Sequence, residues 1–383
     1  MERLHISLEE YVNEPQTRHI KLDFPSLCEL FLCQFPIPNQ LSSPNLIHLA
    51  LEDAQGMPVI AVKSLLDVLH GCPLLETLII NLNTSLRPIH NPSPISLPNL
   101  RAMELGLHEV HCGLVGYLQF PKNVAVGFRG LSVASICEDV GSTTVAAMQH
   151  VLGRIDTHRI TFAVPLGRPL GCRVALLIHF EGLQGSLEIT TTVGYGATTF
   201  FGLRGVLLSH SLPIEDTREL HMISCYSFDD QGWPSINTAL PNLVSISFFH
   251  CDGPTMFEPL TPTNTSSPPF LHLEDVMVLG PGSGLREMVK ARKDYGVPLK
   301  TLVAGQKPSG FTNDPWDNFI RTEKYMGNDP MDCDGIGEFV NNLHVGCPAK
   351  IIEWGARNEI MNIWSTIGIP GPVGSNKNVM ALC

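Results

Sequence analysis

The chain carries little charge. Asp, Glu, Lys and Arg make up 16% of its 383 residues, against about 25% in a typical soluble protein. Apolar residues make up 44%, so disorder is excluded for most of the length. The charge that is present is mainly of one sign, a formal net −12 with a pI near 5.6. An acidic chain repels phosphate backbones, which argues against nucleic acid as a partner and favours a protein with a basic face. Long apolar runs are also missing. None approaches the roughly 20 residues needed to span a bilayer, and the opening Met1-Glu2-Arg3-Leu4-His5-Ile6 lacks the basic and apolar regions of a signal peptide. No membrane association is expected. The 11 cysteines are odd in number and contain no C-x-x-C pair. Several lie in apolar runs, as in Leu30-Phe31-Leu32-Cys33, where a thiol behaves as a small hydrophobe. A disulfide framework is thereby disfavoured, and an intracellular setting, cytoplasmic or nuclear, is expected. The sequons at Asn83 and Asn264 are then idle.

Catalytic signatures are lacking too. There is no G-x-S-x-G elbow. His108-Glu109-Val110-His111-Cys112 is not H-E-x-x-H and is read as a loop with incidental histidines. Asp329, Asp332, Asp334 and Gly335 match a calcium loop only in part, without the Glu at its twelfth position. Glu338 and Asp317 have no evident acid–base partner. Gly280-Pro281-Gly282-Ser283-Gly284 stands between a predicted strand and a predicted helix, the right setting for a phosphate-cradling turn, but lacks G-x-G-x-x-G and G-K-[ST] spacing. An enzyme with a phosphate or nucleotide site at this turn is the alternative reading. The favoured one is not an enzyme, with no catalytic residues, cofactor or metal.

What the chain does have is a repeat. Leu97-Pro98-Asn99-Leu100-Arg101-Ala102-Met103-Glu104-Leu105 is its clearest copy. The form L-x-x-L-x-L starts at Leu27, Leu46, Leu75 and Leu100, at intervals of 19, 29 and 25 residues. It returns from Thr217, Leu243, Leu273 and Leu299, at intervals of 26, 30 and 26. Such spacing lies in or near the 20–29 range of leucine-rich repeats. The expected fold is α/β, a leucine-rich-repeat solenoid with a curved parallel sheet and helical or irregular returns. It occupies 1–308 and is irregular at 106–212, read as degenerate repeats. Residues 309–383 are expected to be a divergent C-terminal cap or partly disordered tail.

Among the elements, Leu4–Leu8 alternates like a strand. Val62, Leu65, Leu66 and Leu69 mark one helix. Thr143–Leu152 reads as another, ended by Gly153. Strands are expected at 124–128, 159–164, 173–180 and 186–191. Leu285–Tyr295 reads as a helix, with Arg286, Lys290, Arg292 and Lys293 as its exposed basic face. Prolines ahead of the copies are placed at the start of strands, where a missing donor is tolerated.

Alternate strand residues face opposite ways. The leucines therefore form a core and the x positions line an open, concave face, the usual binding surface of a solenoid. The candidate binding residues there are Glu29, Phe31, His48, Thr77, Ile79, Glu104, His221, Ser247, Asp275 and Met277. Ala50, Ala102, Ser245, Thr301 and Val303 share the face, which shows no convergent charge cluster at this level.

The run Cys72-Pro73-Leu74-Leu75-Glu76-Thr77-Leu78, the L-P-N-L leads at 97 and 240, Leu118-Gln119-Phe120-Pro121 and the stretch Leu285–Leu299 together resemble F-box/leucine-rich-repeat proteins of the kind expanded in mushroom-forming fungi, over about residues 1–305. The resemblance implies the substrate-recognition part of an F-box ubiquitin-ligase receptor, with a protein target on the concave face. The F-box itself is not found: the chain begins inside a repeat at Leu4, with no L-P-x-E-[IL]-x-x-x-I-like stretch. A Skp1-type adaptor is expected to bind only if an F-box lies upstream. A truncated, non-functional fragment is the remaining reading.

Overall fold

The computed structural model describes residues 3–7, 21–33, 40–52, 60–82, 86–87, 93–106, 109–132, 143–163, 173–194, 212–223, 232–249, 251, 257–262, 268–279, 284–305 and 335–345. Each repeat copy becomes a tight turn followed by a strand. The amide of Leu27 donates to the Phe24 carbonyl at 3.0 Å, Leu46 to Ser43 at 3.0 Å, Leu100 to Leu97 at 3.2 Å and Leu243 to Leu240 at 3.3 Å. Pro25, Pro44, Pro98 and Pro241 thus take the second position of a β-turn, not the start of a strand. Proline's locked φ suits that corner. The asparagine that follows has its own task. The Asn45, Asn99 and Asn242 side-chain amides donate to the carbonyls of Pro25 at 2.7 Å, Pro73 at 3.3 Å and Glu215 at 3.1 Å. Each acceptor lies one copy upstream, so the Pro-Asn lead both turns the chain and ties adjacent copies.

The strands build one mixed sheet of 14, mostly parallel. They are β1 (Arg3–Ser7), β2 (Glu29–Cys33), β3 (His48–Glu52), β4 (Thr77–Asn81), β5 (Ala102–Gly106), β6 (Ala125–Ser132), β7 (Thr157–Ala163), β8 (Arg173–Gly182), β9 (Ser186–Gly194), β10 (Glu219–Ile223), β11 (Ser245–Phe249), β12 (Asp275–Leu279), β13 (Thr301–Gly305) and β14 (Asn342–Val345). From β1 to β6 and again from β10 to β14 they lie side by side in chain order, in parallel register. Leu30, Leu49, Leu78, Met103 and Val126 form one row, and Leu32, Leu51, Ile80, Leu105 and Phe128 another, all buried in the main core. Burying each such side chain contributes about 1.5–3 kcal/mol.

Between β6 and β10 the order inverts to β6-β9-β8-β7-β10. Strand β8 runs antiparallel to both neighbours. This is why the period blurs over 106–212. The chain crosses from β6 to β7, then returns through the two hairpin-linked strands β8 and β9 to fill the gap, so β8 and β9 are not degenerate copies, while β6 continues the parallel rows. The pairing of β8 and β9 follows the hairpin and needs no turn-then-strand motif. Gly182 closes the hairpin under the preceding helix, where an added Cβ would stand 1.8 Å from the Ile155 carbonyl oxygen.

Helices α1 (Val62–His70), α2 (Glu109–Cys112), α3 (Thr143–Ile155), α4 (Gly232–Ala239) and α5 (Leu285–Asp294) connect the strands. Helix α3 continues through Gly153 to Ile155, and Asp156, with φ of 48°, makes the left-handed stop. Residues 109–112 are helical, not loop, and His111 is fully buried with Nδ1 2.6 Å from the Gly106 carbonyl oxygen. Arg292 is also buried, not part of an exposed basic face. It follows Leu285, Met288 and Val289 at i, i+3, i+4 and i+7, so it sits on the inward stripe of α5. Residues 335–345 pack against this helix: the Lys293 ammonium donates to the Glu338 carbonyl at 2.5 Å and lies 5.6 Å from the Phe339 ring. Among the described residues, no helix is long and apolar enough to cross a membrane.

Candidate functional site: the second face of the sheet

Every candidate binding residue lies on the sheet face opposite the main core, and the register gathers them into two rows. One contains Glu29, His48, Thr77, Ala102, Ser245, Asp275 and Thr301; the other contains Phe31, Ala50, Ile79, Glu104, His221, Ser247, Met277 and Val303. The face is less open than alternation suggests. Phe31, Ala50 and Ile79 form a small buried apolar cluster of their own, the His5 ring meets Phe31 edge-on at 4.4 Å, and Thr77 and Ser247 are buried. Glu29, His48, Glu104, His221, Asp275 and Met277 are partly exposed.

The middle of this face holds two charge clusters that the repeat motif did not reveal. In the first, Arg129 of β6 lies between Glu104 and Glu188, at 3.4 Å and 2.5 Å. Burial alone would lower the guanidinium pKa, but the two carboxylates outweigh it and hold Arg129 firmly charged. In the second, Arg159 of β7 lies 3.0 Å from Glu181 and 2.6 Å from Glu219. His221 stands beside them, 3.8 Å from Glu219. Burial and the Arg159 charge push its pKa down to about 4, so it is neutral near pH 7. Each arginine serves two carboxylates, and each cluster is left with one negative charge. Both arginines, with Glu181 and Glu188, come from the region whose register was unreadable in sequence.

Glu52 and Asn81 were missed for another reason: they stand one residue past the last apolar position of their copies. They pair in register with each other and with Gly106 and Arg129. Glu52 is 8% exposed. Its Oε1 and the Asn81 Oδ1 have no hydrogen-bond partner among the described residues. Burial, and then the nearby Glu104 charge, push the Glu52 pKa up to about 7. A folded pKa above the unfolded 4.5 means that the fold prefers protonated Glu52. Its contribution to stability is present below pH 4.5 and is lost as pH rises to about 7. Glu52→Gln is therefore expected to stabilise the protein at pH 8 by up to about 3 kcal/mol, with the gain vanishing at pH 4. Urea unfolding of both proteins at the two pH values measures it; an equal effect at both would contradict the account.

No group of three or more His, Cys, Asp and Glu that could hold a metal ion occurs among the described residues. Of the glycine-rich turn, Gly280–Ser283 fall outside the described residues, as do His108, Asp317, Asp329, Asp332 and Asp334. Gly284 precedes α5 with φ of 83° and caps it without a side chain. In comparisons with protein-family models, curated proteins and solved structures, nothing matches this chain.

Proposed function

We propose that the chain is a non-catalytic protein-interaction module, a leucine-rich-repeat solenoid that presents its second sheet face to a protein target. The observation that carries the reading is the register. Copies that recur in sequence stack so that their non-leucine positions form continuous rows across β2 to β5 and β10 to β13. A row of this kind offers many side chains to one extended partner, as solenoid surfaces do. The resemblance to F-box/leucine-rich-repeat proteins extends the reading to substrate recognition for a ubiquitin ligase, with a Skp1-type adaptor engaged only if an F-box lies upstream. An intracellular site of action belongs to the same reading.

Affinity capture with cross-linking tests it. Glu29→Lys and Glu219→Lys, both on the rows, are expected to abolish recovery of a target that the wild type and Lys290→Glu, on helix α5, retain. Identical recovery by all four proteins would overturn the proposal. In a second arm, calorimetric titration with ATP is expected to show no binding. Micromolar binding lost in Gly282→Val would instead favour a nucleotide site at the glycine turn.

A further inference from the structure

The sheet ends at two strands, β1 and β14, and among the described residues each pairs on one side only. The two edges agree in direction. Strand β8 is reversed against both β9 and β7, so the two reversals cancel and β14 runs the same way as β1. They are also complementary in hydrogen bonding. The amides of Thr77, Ala102, Thr301 and Asn342 donate upstream, to the carbonyls of Ile47, Glu76, Glu274 and Lys300. Backbone groups alternate sides along a strand. The amides and carbonyls of Arg3, His5 and Ser7 therefore point out from β1, and those of Leu343 and Val345 point out from β14. The core is open at the same two places. Leu4 and Leu343 end one row that crosses the whole sheet through Leu30, Leu78, Val126, Ile160, Ile246 and Leu302. These inner residues are at most 1% exposed, whereas Leu4 and Leu343 are only partly buried, as is Ile6. Natural edges are commonly blunted by lysine, proline or a bulge. Neither strand has any of these, and Arg3, the one permanent charge on them, is paired with Glu29 at 3.0 Å.

We propose that β14 of one copy adds in parallel to β1 of a second copy, so that the sheet continues head to tail from chain to chain. The His5 amide of the second copy then donates to the Leu343 carbonyl of the first, by the same rule that links the strands within one chain. Leu343 packs beside Leu4 of the second copy, and the row of core residues runs on unbroken. Each copy keeps one free β1 or β14 edge for the next. The contact is heterologous and builds open chains unless the rotation per copy closes a ring. A four-residue strand buries less than a standard interface, so micromolar or weaker affinity is expected. This association rests on the two edges alone and not on the protein-interaction reading.

Sedimentation velocity of the full chain tests this. The weight-average mass is expected to rise at least about twofold between about 1 µM and about 200 µM protein. His5→Pro and Leu343→Pro each remove one outward-pointing donor and leave the internal ladder intact. Each variant alone is expected to stay monomeric. Mixed in equal amounts they are expected to form a dimer and nothing larger, since His5→Pro keeps its β14 edge and Leu343→Pro its β1 edge. Such a dimer also shows that both variants fold. If either melts early, Ile6→Lys and Leu343→Lys, which set a charge at the open ends of the core, take their place. A wild type that stays monomeric throughout would overturn the proposal, since the edges would then be covered already. So would association that neither variant changes. Association lost in only one of the two variants would also overturn it, because the contact would then be a two-fold pairing of like edges.

Discussion

Arg129→Met is expected to lower stability by about 3–5 kcal/mol, the usual result of removing one partner from a buried charged group. The side chain is 13% exposed, and Glu104 and Glu188 are 12% and 5% exposed. Without the guanidinium, two carboxylates remain close together in a water-poor site, next to Glu52. Each then repels the other and is poorly solvated, so both are driven towards protonation. A second change separates electrostatics from lost packing. Adding Glu188→Gln to Arg129→Met is expected to recover at least about 1 kcal/mol, since one orphaned charge is removed. Guanidinium unfolding of the single and double variants measures the coupling. If the double variant is as unstable as the sum of its singles, Arg129 acts by packing alone.

Arg292→Lys is expected to be about as damaging, although it keeps the charge. The Arg292 guanidinium donates to four main-chain carbonyls: Leu260 at 3.3 Å, Pro269 at 3.0 Å, Phe270 at 3.1 Å and Leu273 at 3.4 Å. These lie in the two segments that lead into β12, so one side chain joins α5 to the loops beneath it. Burial pulls the Arg292 pKa down to about 10, with no acidic counter-ion among the described residues offsetting it, yet the group stays charged at neutral pH. An ammonium is a compact donor on a flexible stem and cannot span four acceptors as a planar fork does. Each buried carbonyl that loses its donor costs about 1–3 kcal/mol, so a total near 3–5 kcal/mol is expected after relaxation. Calorimetric melting of Arg292→Lys beside Lys290→Arg, an exposed change on the same helix, tests it. Equal melting temperatures would show that the carbonyl cage is not stabilising.

Much of the sheet was legible in the residues themselves. The leucine spacing placed β2 to β5 and β10 to β13 and assigned each residue to a face, because a period of two leaves no freedom once one face is apolar. The same alternation overstated exposure. Ala50 lies between the longer Phe31 and Ile79 on adjacent strands and is covered by them, which depends on the pairing and not on the strand. The basic character of α5 was misread for a related reason. Composition suggested a solvated face, while the period of 3.6 already put Arg292 in line with Leu285, Met288 and Val289. Counting positions around the helix would have found it; the four carbonyls that make its burial tolerable come from residues 260–273 and are invisible locally.

The sequence by itself determined the repeated strands and their inward leucines. These depend on neighbours within one copy, where Pro and Leu act at fixed short offsets. Only the tertiary structure decided which charges meet. Glu104 and Arg129 are 25 residues apart on strands β5 and β6, which are neighbours in chain order, and Glu188 lies 59 beyond Arg129; only the inverted order β6-β9-β8-β7-β10 sets Glu188 of β9 on the other side of Arg129. A motif that repeats along the chain specifies a core. The pairing of strands distant in the chain makes the acidic centre of the face, because an ion pair is set by separation in space, and local periodicity carries no record of it.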